Sequence, residues 1–133
     1  MHDDRLLTER RMERVLRERI RPEVYGATVP LRVTAWNVPG EPVPPAEGLA
    51  ADYQPFEVGT AWGRPWGTTW FSCHGVVPAE WTGQEVVAVV DLGFGDHGGG
   101  FSAEGLIYLP DGSPVRGLHP RQRSVRLDRK SVV

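Results

Sequence analysis

Cysteine is almost missing from this chain of 133 residues. Cys73 stands alone, so an internal disulfide framework is excluded and the chain fits a reducing compartment. Long apolar runs are missing too. None reaches the roughly 18 residues that a bilayer-spanning helix needs. The opening MHDDRLLTERR has acids where a secretory signal has an apolar stretch. Neither a membrane nor an export route is expected, and the expected location is cytoplasmic. Positive charge is scarce in the body of the chain. Residues 31–115 carry Arg32 and Arg64 against ten acids, a net of −8, which argues against a nucleic-acid groove. The balance is restored at the ends. Residues 1–30 hold seven Arg and six acids, and residues 116–133 hold five Arg and Lys130 against Asp128. That basic tail reads as a solvated segment or one that packs on an acidic neighbour.

Catalytic and metal-ligating patterns are also lacking. His2, His74, His97 and His119 are far apart, and there is no H-x-H, H-E-x-x-H or C-x-x-C. No G-x-S-x-G elbow occurs. Cys73 and His74 are adjacent in a strand-like run, so they point to opposite faces and cannot act as nucleophile and base. The glycines of GFGDHGGGF (93–101) follow a strand but open no helix, which a phosphate-cradling loop requires. Asp91, Asp96 and His97 lie near this turn without calcium-loop spacing. The chain is therefore expected to contribute no catalytic residue, no metal ligand and no cofactor site.

What the chain does have is glycine, proline and tryptophan. Sixteen Gly and twelve Pro rule out a helical bundle and favour short strands joined by tight turns. One helix is expected, over residues 4–20. Asp3 and Asp4 suit its start, Leu6, Met12, Leu16 and Ile20 share one arc, and Pro22 is expected to end it. Strands are expected at 31–38, 68–74, 84–92 and 104–109, the last turning through Pro110–Ser113 into 114–118. The run QEVVAVVDL is apolar on both faces and reads as a central strand. The fold class is thus mainly β, an antiparallel sandwich of jelly-roll or galactose-binding-like type with an N-terminal α-helix. The expected division is a helix at 1–22, a sandwich at 23–123 with a Pro-rich surface loop at 39–55, and a basic tail or linker at 124–133.

Five tryptophans, Trp36, Trp62, Trp66, Trp70 and Trp81, are many for this length. Most are expected to fill a core. Trp62 and Trp66 are flanked by Gly and Pro, so they belong near a loop, with Arg64 between them. Because indoles stack on sugar faces, Trp62, Arg64, Trp66, Asp96 and His97 form the candidate ligand-binding set.

A family resemblance enters at Trp66-Gly67-Thr68-Thr69-Trp70-Phe71. This run is followed in order by Val77-Pro78-Ala79-Glu80-Trp81-Thr82-Gly83, by VVAVVDLG and by FSAEGLIYLPDGSPVRGLHPR. The succession, over roughly residues 57–123, resembles the N-terminal region of the cytosolic type of class II α-mannosidases, glycoside hydrolase family 38. The resemblance implies a β-sandwich preceding a separate (β/α) catalytic domain that holds zinc and an aspartate nucleophile and acts with retention. The family's zinc signature, His-x-Asp after a Gly-His, does not occur here. Zinc is thus expected in a catalytic domain outside this chain, and the resemblance implies that domain or further subunits as partners, with mannose-containing glycans as the ligand class. A stand-alone carbohydrate-binding or subunit-interaction module is the alternative.

Overall fold

The computed structural model describes residues 4–94 and 103–127. It divides into two compact units, Met1–Pro30 and Leu31–Val133.

The first unit is helical. Helix α1 spans Arg5–Val15, and the Thr8 N–H donates to the Asp4 carbonyl at 2.9 Å. No side chain caps it and none of its residues is buried. The helical path does not stop before Pro22. It widens into a π turn over Leu16–Ile20, in which the Arg21 N–H reaches the Leu16 carbonyl, and then tightens into a 3₁₀ turn over Arg21–Glu23. Proline has no N–H to donate, and its ring crowds the carbonyl four residues back. A turn closed five residues back shifts that carbonyl, so the chain absorbs Pro22 by changing pitch. Arg17 lies 3.5 Å from Glu18 rather than pairing with Glu13 one turn earlier, while Arg5 pairs with Glu9 at 2.8 Å.

The second unit is built from antiparallel ladders. Strand β1 (Arg32–Asn37) is followed by a short helix α2 (Pro45–Leu49), strand β2 (Gln54–Pro55) and strand β3 (Thr69–His74). β1 lies between β2 and β3, in register from Arg32↔His74 to Asn37↔Thr69. Period two puts Trp36 and Trp70 on one face with Ser72 and His74, whose Oγ and Nε2 are 2.9 Å apart. Phe71 and Cys73 take the other face. Both faces are covered by aromatic rings. Phe56 and Trp62 each meet the Phe71 ring edge-on at 5.2 Å, while Tyr108 stacks on Trp70 at 5.4 Å. Such pairs add about 0.5–1.5 kcal/mol each beyond area burial. Gly48 of α2 lies flat on Trp70, where a Cβ would overlap the indole.

The expected Pro-rich loop at 39–55 therefore contains both α2 and β2. Pro45 sits in the first turn of α2, where its missing N–H is no loss. β2 forms because β1 has a free edge, which no local pattern announces.

Strand β4 (Val87–Val89) pairs with β7 (Ser124–Arg126), and between them β5 (Gly105–Tyr108) pairs with β6 (Pro114–Leu118). One antiparallel pair nested inside another is the connectivity of a rolled-up hairpin, as in a jelly roll. Two expectations change here. The run 84–92 does not form a central strand, because among the described residues β4 pairs on one edge alone and Val89 is 46% exposed. Its partner comes from the segment expected as a tail. Val125 is buried opposite Ala88, and the Val90 N–H to Arg123 carbonyl (2.7 Å) and Leu127 N–H to Val86 carbonyl (3.0 Å) lengthen the ladder. The alternation of Val125 and Leu127 with polar neighbours was the available signal, and the surrounding arginines masked it.

The chain leaves β4 under a polar clamp. Asp91 Oδ1 accepts the N–H groups of Gly93 (2.9 Å) and Phe94 (3.2 Å), and its Oδ2 lies 2.8 Å from Arg123. The Arg123 guanidinium covers the ring of buried Phe94 at 5.3 Å.

Candidate functional site

The aromatic loop between β2 and β3 contains three of the five candidate ligand-binding residues. They separate into two roles. Trp62 is half-buried against Phe71, and its indole N–H donates to the Leu92 carbonyl at 3.0 Å. Its ring ties the loop to the end of β4. Arg64 is exposed and donates from Nη2 to the Pro39 carbonyl at 3.2 Å. Trp66 is fully exposed, at 104% of its reference area. Asp96 and His97 lie outside the described residues.

Trp66 occupies an unusual backbone position. The Gly67 N–H donates to the Arg64 carbonyl at 2.9 Å, which closes a four-residue turn over Arg64-Pro65-Trp66-Gly67. Proline second and a positive φ third is the pattern of a type II turn, whose third position is normally glycine or asparagine. Here that position is Trp66, with φ of 61°. Among the described residues it is the one non-glycine with a positive φ. A left-handed L-residue costs about 1–2 kcal/mol from crowding of its Cβ. The indole recovers none of this by burial. Folding alone therefore gives no reason for tryptophan here, and an outlier of this kind points to function.

Gly67, which ends the turn, makes room for a side chain. A Cβ on Gly67 would collide with the Arg64 side chain, so this glycine lets Arg64 lie across the turn.

Beside the turn is a cleft of about 380 Å³, lined by Arg64 and Gly67 and by the facing ends of β1 and β3, including Asn37, Thr68 and Thr69. The strand register brings Asn37 opposite Thr69, and the Thr69 hydroxyl donates to Asn37 Oδ1 at 2.7 Å. That bond orients the amide and leaves both Asn37 amide hydrogens without a protein acceptor among the described residues. Arg64 is the one charged residue of the lining. Sequence reasoning missed Asn37 and Thr69. They are 32 positions apart, and strand pairing alone makes them neighbours.

A second cleft, of about 320 Å³, gathers Glu104, Gly105, Gly117, Leu118, His119 and Arg121 from the two runs around the β5–β6 hairpin. Several of these have structural tasks. Gly105 lies against Leu92 and Leu118, and His119 exchanges backbone hydrogen bonds with Gln122 (3.1 and 2.8 Å).

Cys73 is half-buried, and burial pushes its thiol above the ordinary range, which disfavours the nucleophilic thiolate. The described residues hold no group of three His, Cys, Asp or Glu able to bind a metal ion, and no helix long and apolar enough to cross a membrane.

Comparison with known proteins agrees with the nested ladders. The family model described as "Alpha-mannosidase, jelly roll domain" matches residues 29–132. The chain is 34% identical to human alpha-mannosidase 2C1 over 99 residues, which are 74% of this chain and 9% of that protein. It is 30% identical to the mouse protein of the same name, over 74% of this chain and 8% of that protein. The chain thus spans about a tenth of the length of these relatives. The match covers the whole strand-bearing unit in order, and the chain belongs to the alpha-mannosidase jelly-roll domain family.

Proposed function

We propose that this chain is the non-catalytic N-terminal jelly-roll domain of a cytosolic, zinc-dependent, retaining α-mannosidase that releases terminal α-mannosides. Zinc and the nucleophile belong to a catalytic domain that lies outside residues 1–133. This domain acts by docking on that catalytic part or on further subunits. The observation that carries the reading is the match of residues 29–132 to the jelly-roll domain of α-mannosidases, joined to relatives about ten times longer than the matched segment. A retaining glycosidase needs two carboxylates held about 5 Å apart over a sugar pocket. The cleft beside Trp66 has no carboxylate in its lining.

Two measurements test the reading. The gene can be sequenced in all frames beyond codon 133. A Gly-His followed by His-x-Asp is expected, and a stop followed by unrelated sequence overturns the reading. The purified chain can also be assayed on 4-nitrophenyl α-mannoside with zinc added. No turnover is expected, and turnover that follows the protein through purification overturns the non-catalytic assignment. A second reading, in which the domain itself holds sugar, is favoured by one observation, the strained and fully exposed Trp66.

A further inference from the structure

We propose that the cleft beside Trp66 binds a neutral pyranoside, with a C–H face of the sugar on the Trp66 indole and its hydroxyls on Asn37, Thr69 and Arg64. Four observations converge on this ligand class. The indole is presented whole to solvent, and a pyranose offers a matching apolar face of axial C–H bonds. Trp66 lies outside the lining itself, in the same four-residue turn as Arg64 and Gly67, which line the cleft. The cleft volume of about 380 Å³ lies within the usual range of small-molecule sites. Its polar groups are the kind that recognise hydroxyls. The Asn37 amide offers two hydrogens, the Thr69 oxygen retains acceptor capacity after donating to Asn37, and Arg64 has donors beyond the Nη2 group bound to Pro39.

The same groups disfavour other ligands. A phosphate or sulfate would call for several cations, and the lining supplies Arg64 alone. The unit that holds the cleft, residues 31–133, is net −3, which gives an anion no general attraction. A cation would call for a carboxylate, and the lining has none. A neutral, hydroxyl-rich ring with one apolar face satisfies the remaining chemistry.

The ligand class follows from the cleft. Mannose as the first sugar to try rests on the proposed α-mannosidase reading. Methyl α-mannoside, methyl α-glucoside and methyl α-galactoside are each titrated into the isotope-labelled full chain, with the indole and side-chain amide signals followed by NMR. The expected result is a saturable shift of the Trp66 indole N–H and the Asn37 amide, with affinity of order millimolar. The indole signals of Trp36, Trp62, Trp70 and Trp81 stay in place. Trp66→Ala and Asn37→Ala each weaken binding about tenfold or more, as loss of a stacking or bidentate contact implies. Trp66→Gly, which relieves the backbone while removing the ring, loses binding without lowering the melting temperature, so the loss is not one of folding.

Flat titrations with all three sugars to high millimolar concentration overturn the proposal, as do shifts that survive Trp66→Ala. A flat titration together with self-association that Trp66→Ala abolishes, read by light scattering, assigns the indole to a protein contact and also overturns it. Binding of the glucoside or galactoside without the mannoside upholds the cleft and weighs against the mannosidase reading instead.

Discussion

Two turns of this molecule share proline second and glycine fourth, Leu109-Pro110-Asp111-Gly112 and Arg64-Pro65-Trp66-Gly67, yet they place the left-handed residue differently. In the β5–β6 hairpin, the Gly112 N–H donates to the Leu109 carbonyl at 2.9 Å, and the left-handed position, φ of 87°, is filled by glycine. Asp111 precedes it, and its carboxylate accepts the Ser113 N–H at 2.9 Å. Every residue there suits the backbone it must adopt. In the turn over residues 64–67 the proline is equally apt, but the left-handed residue is the third, Trp66, exposed and strained, and not the glycine in fourth place. The first turn is explained by folding. The second is explained only when the indole has a task beyond the fold.

The largest effect that would sharpen this contrast is expected at the hairpin. Gly112→Val forces a β-branched residue to a positive φ and should lower stability by about 2 kcal/mol in denaturant titration. An unchanged midpoint would break the comparison, because the hairpin would then tolerate what the other turn tolerates. Trp66→Gly should move the other way and gain roughly 0.5–1 kcal/mol, as relief of the left-handed strain exceeds the added freedom of the unfolded glycine. A clear loss would mean that the indole supports the fold. Pro65→Ala should cost about 0.5 kcal/mol, because proline presets φ in that turn and limits the unfolded ensemble.

The smallest effect is expected from pH. The hydrogen bonds to Ser113 hold the Asp111 carboxyl below its ordinary value of 3.8. A depressed carboxylate contributes stability that is present above the ordinary value and lost as pH falls through the lower, folded-state value. The hairpin should therefore loosen only below about pH 4. The Ser113 amide shift followed by NMR checks this, and Asp111→Asn should remove that pH response.

Legibility from sequence followed the length scale of the cause. β1, β3, β5 and β6 are visible because period-two alternation and the Pro-Asp-Gly turn are local signals. α1 was visible from its start, but its passage through Pro22 was not, since a pitch change leaves no mark in composition. β2 and β7 were hidden for another reason. Each is short, and each exists because a distant edge, that of β1 or of β4, supplies its hydrogen bonds. At the site, Arg64 and Trp66 stood out by their Gly and Pro neighbours, and Trp62 drew the same notice although its indole N–H is bonded within the fold. Asn37 and Thr69 drew none, because an asparagine and a threonine at strand ends are ordinary until pairing brings them together.

By itself, then, the amino-acid sequence determined the class of the fold, the order of its principal strands, the hairpin turn and the family succession from Trp66 to Arg121. These depend on side-chain periodicity, turn chemistry and motif order, all written within a few residues of one another. The tertiary structure alone decided which tryptophan is bonded within the fold and which stands free, which glycine relieves a side chain instead of a dihedral angle, and that Asn37 and Thr69 meet beside Arg64. Those outcomes turn on contacts between residues distant along the chain, where pairing register and the space left after packing, rather than local preference, decide the result.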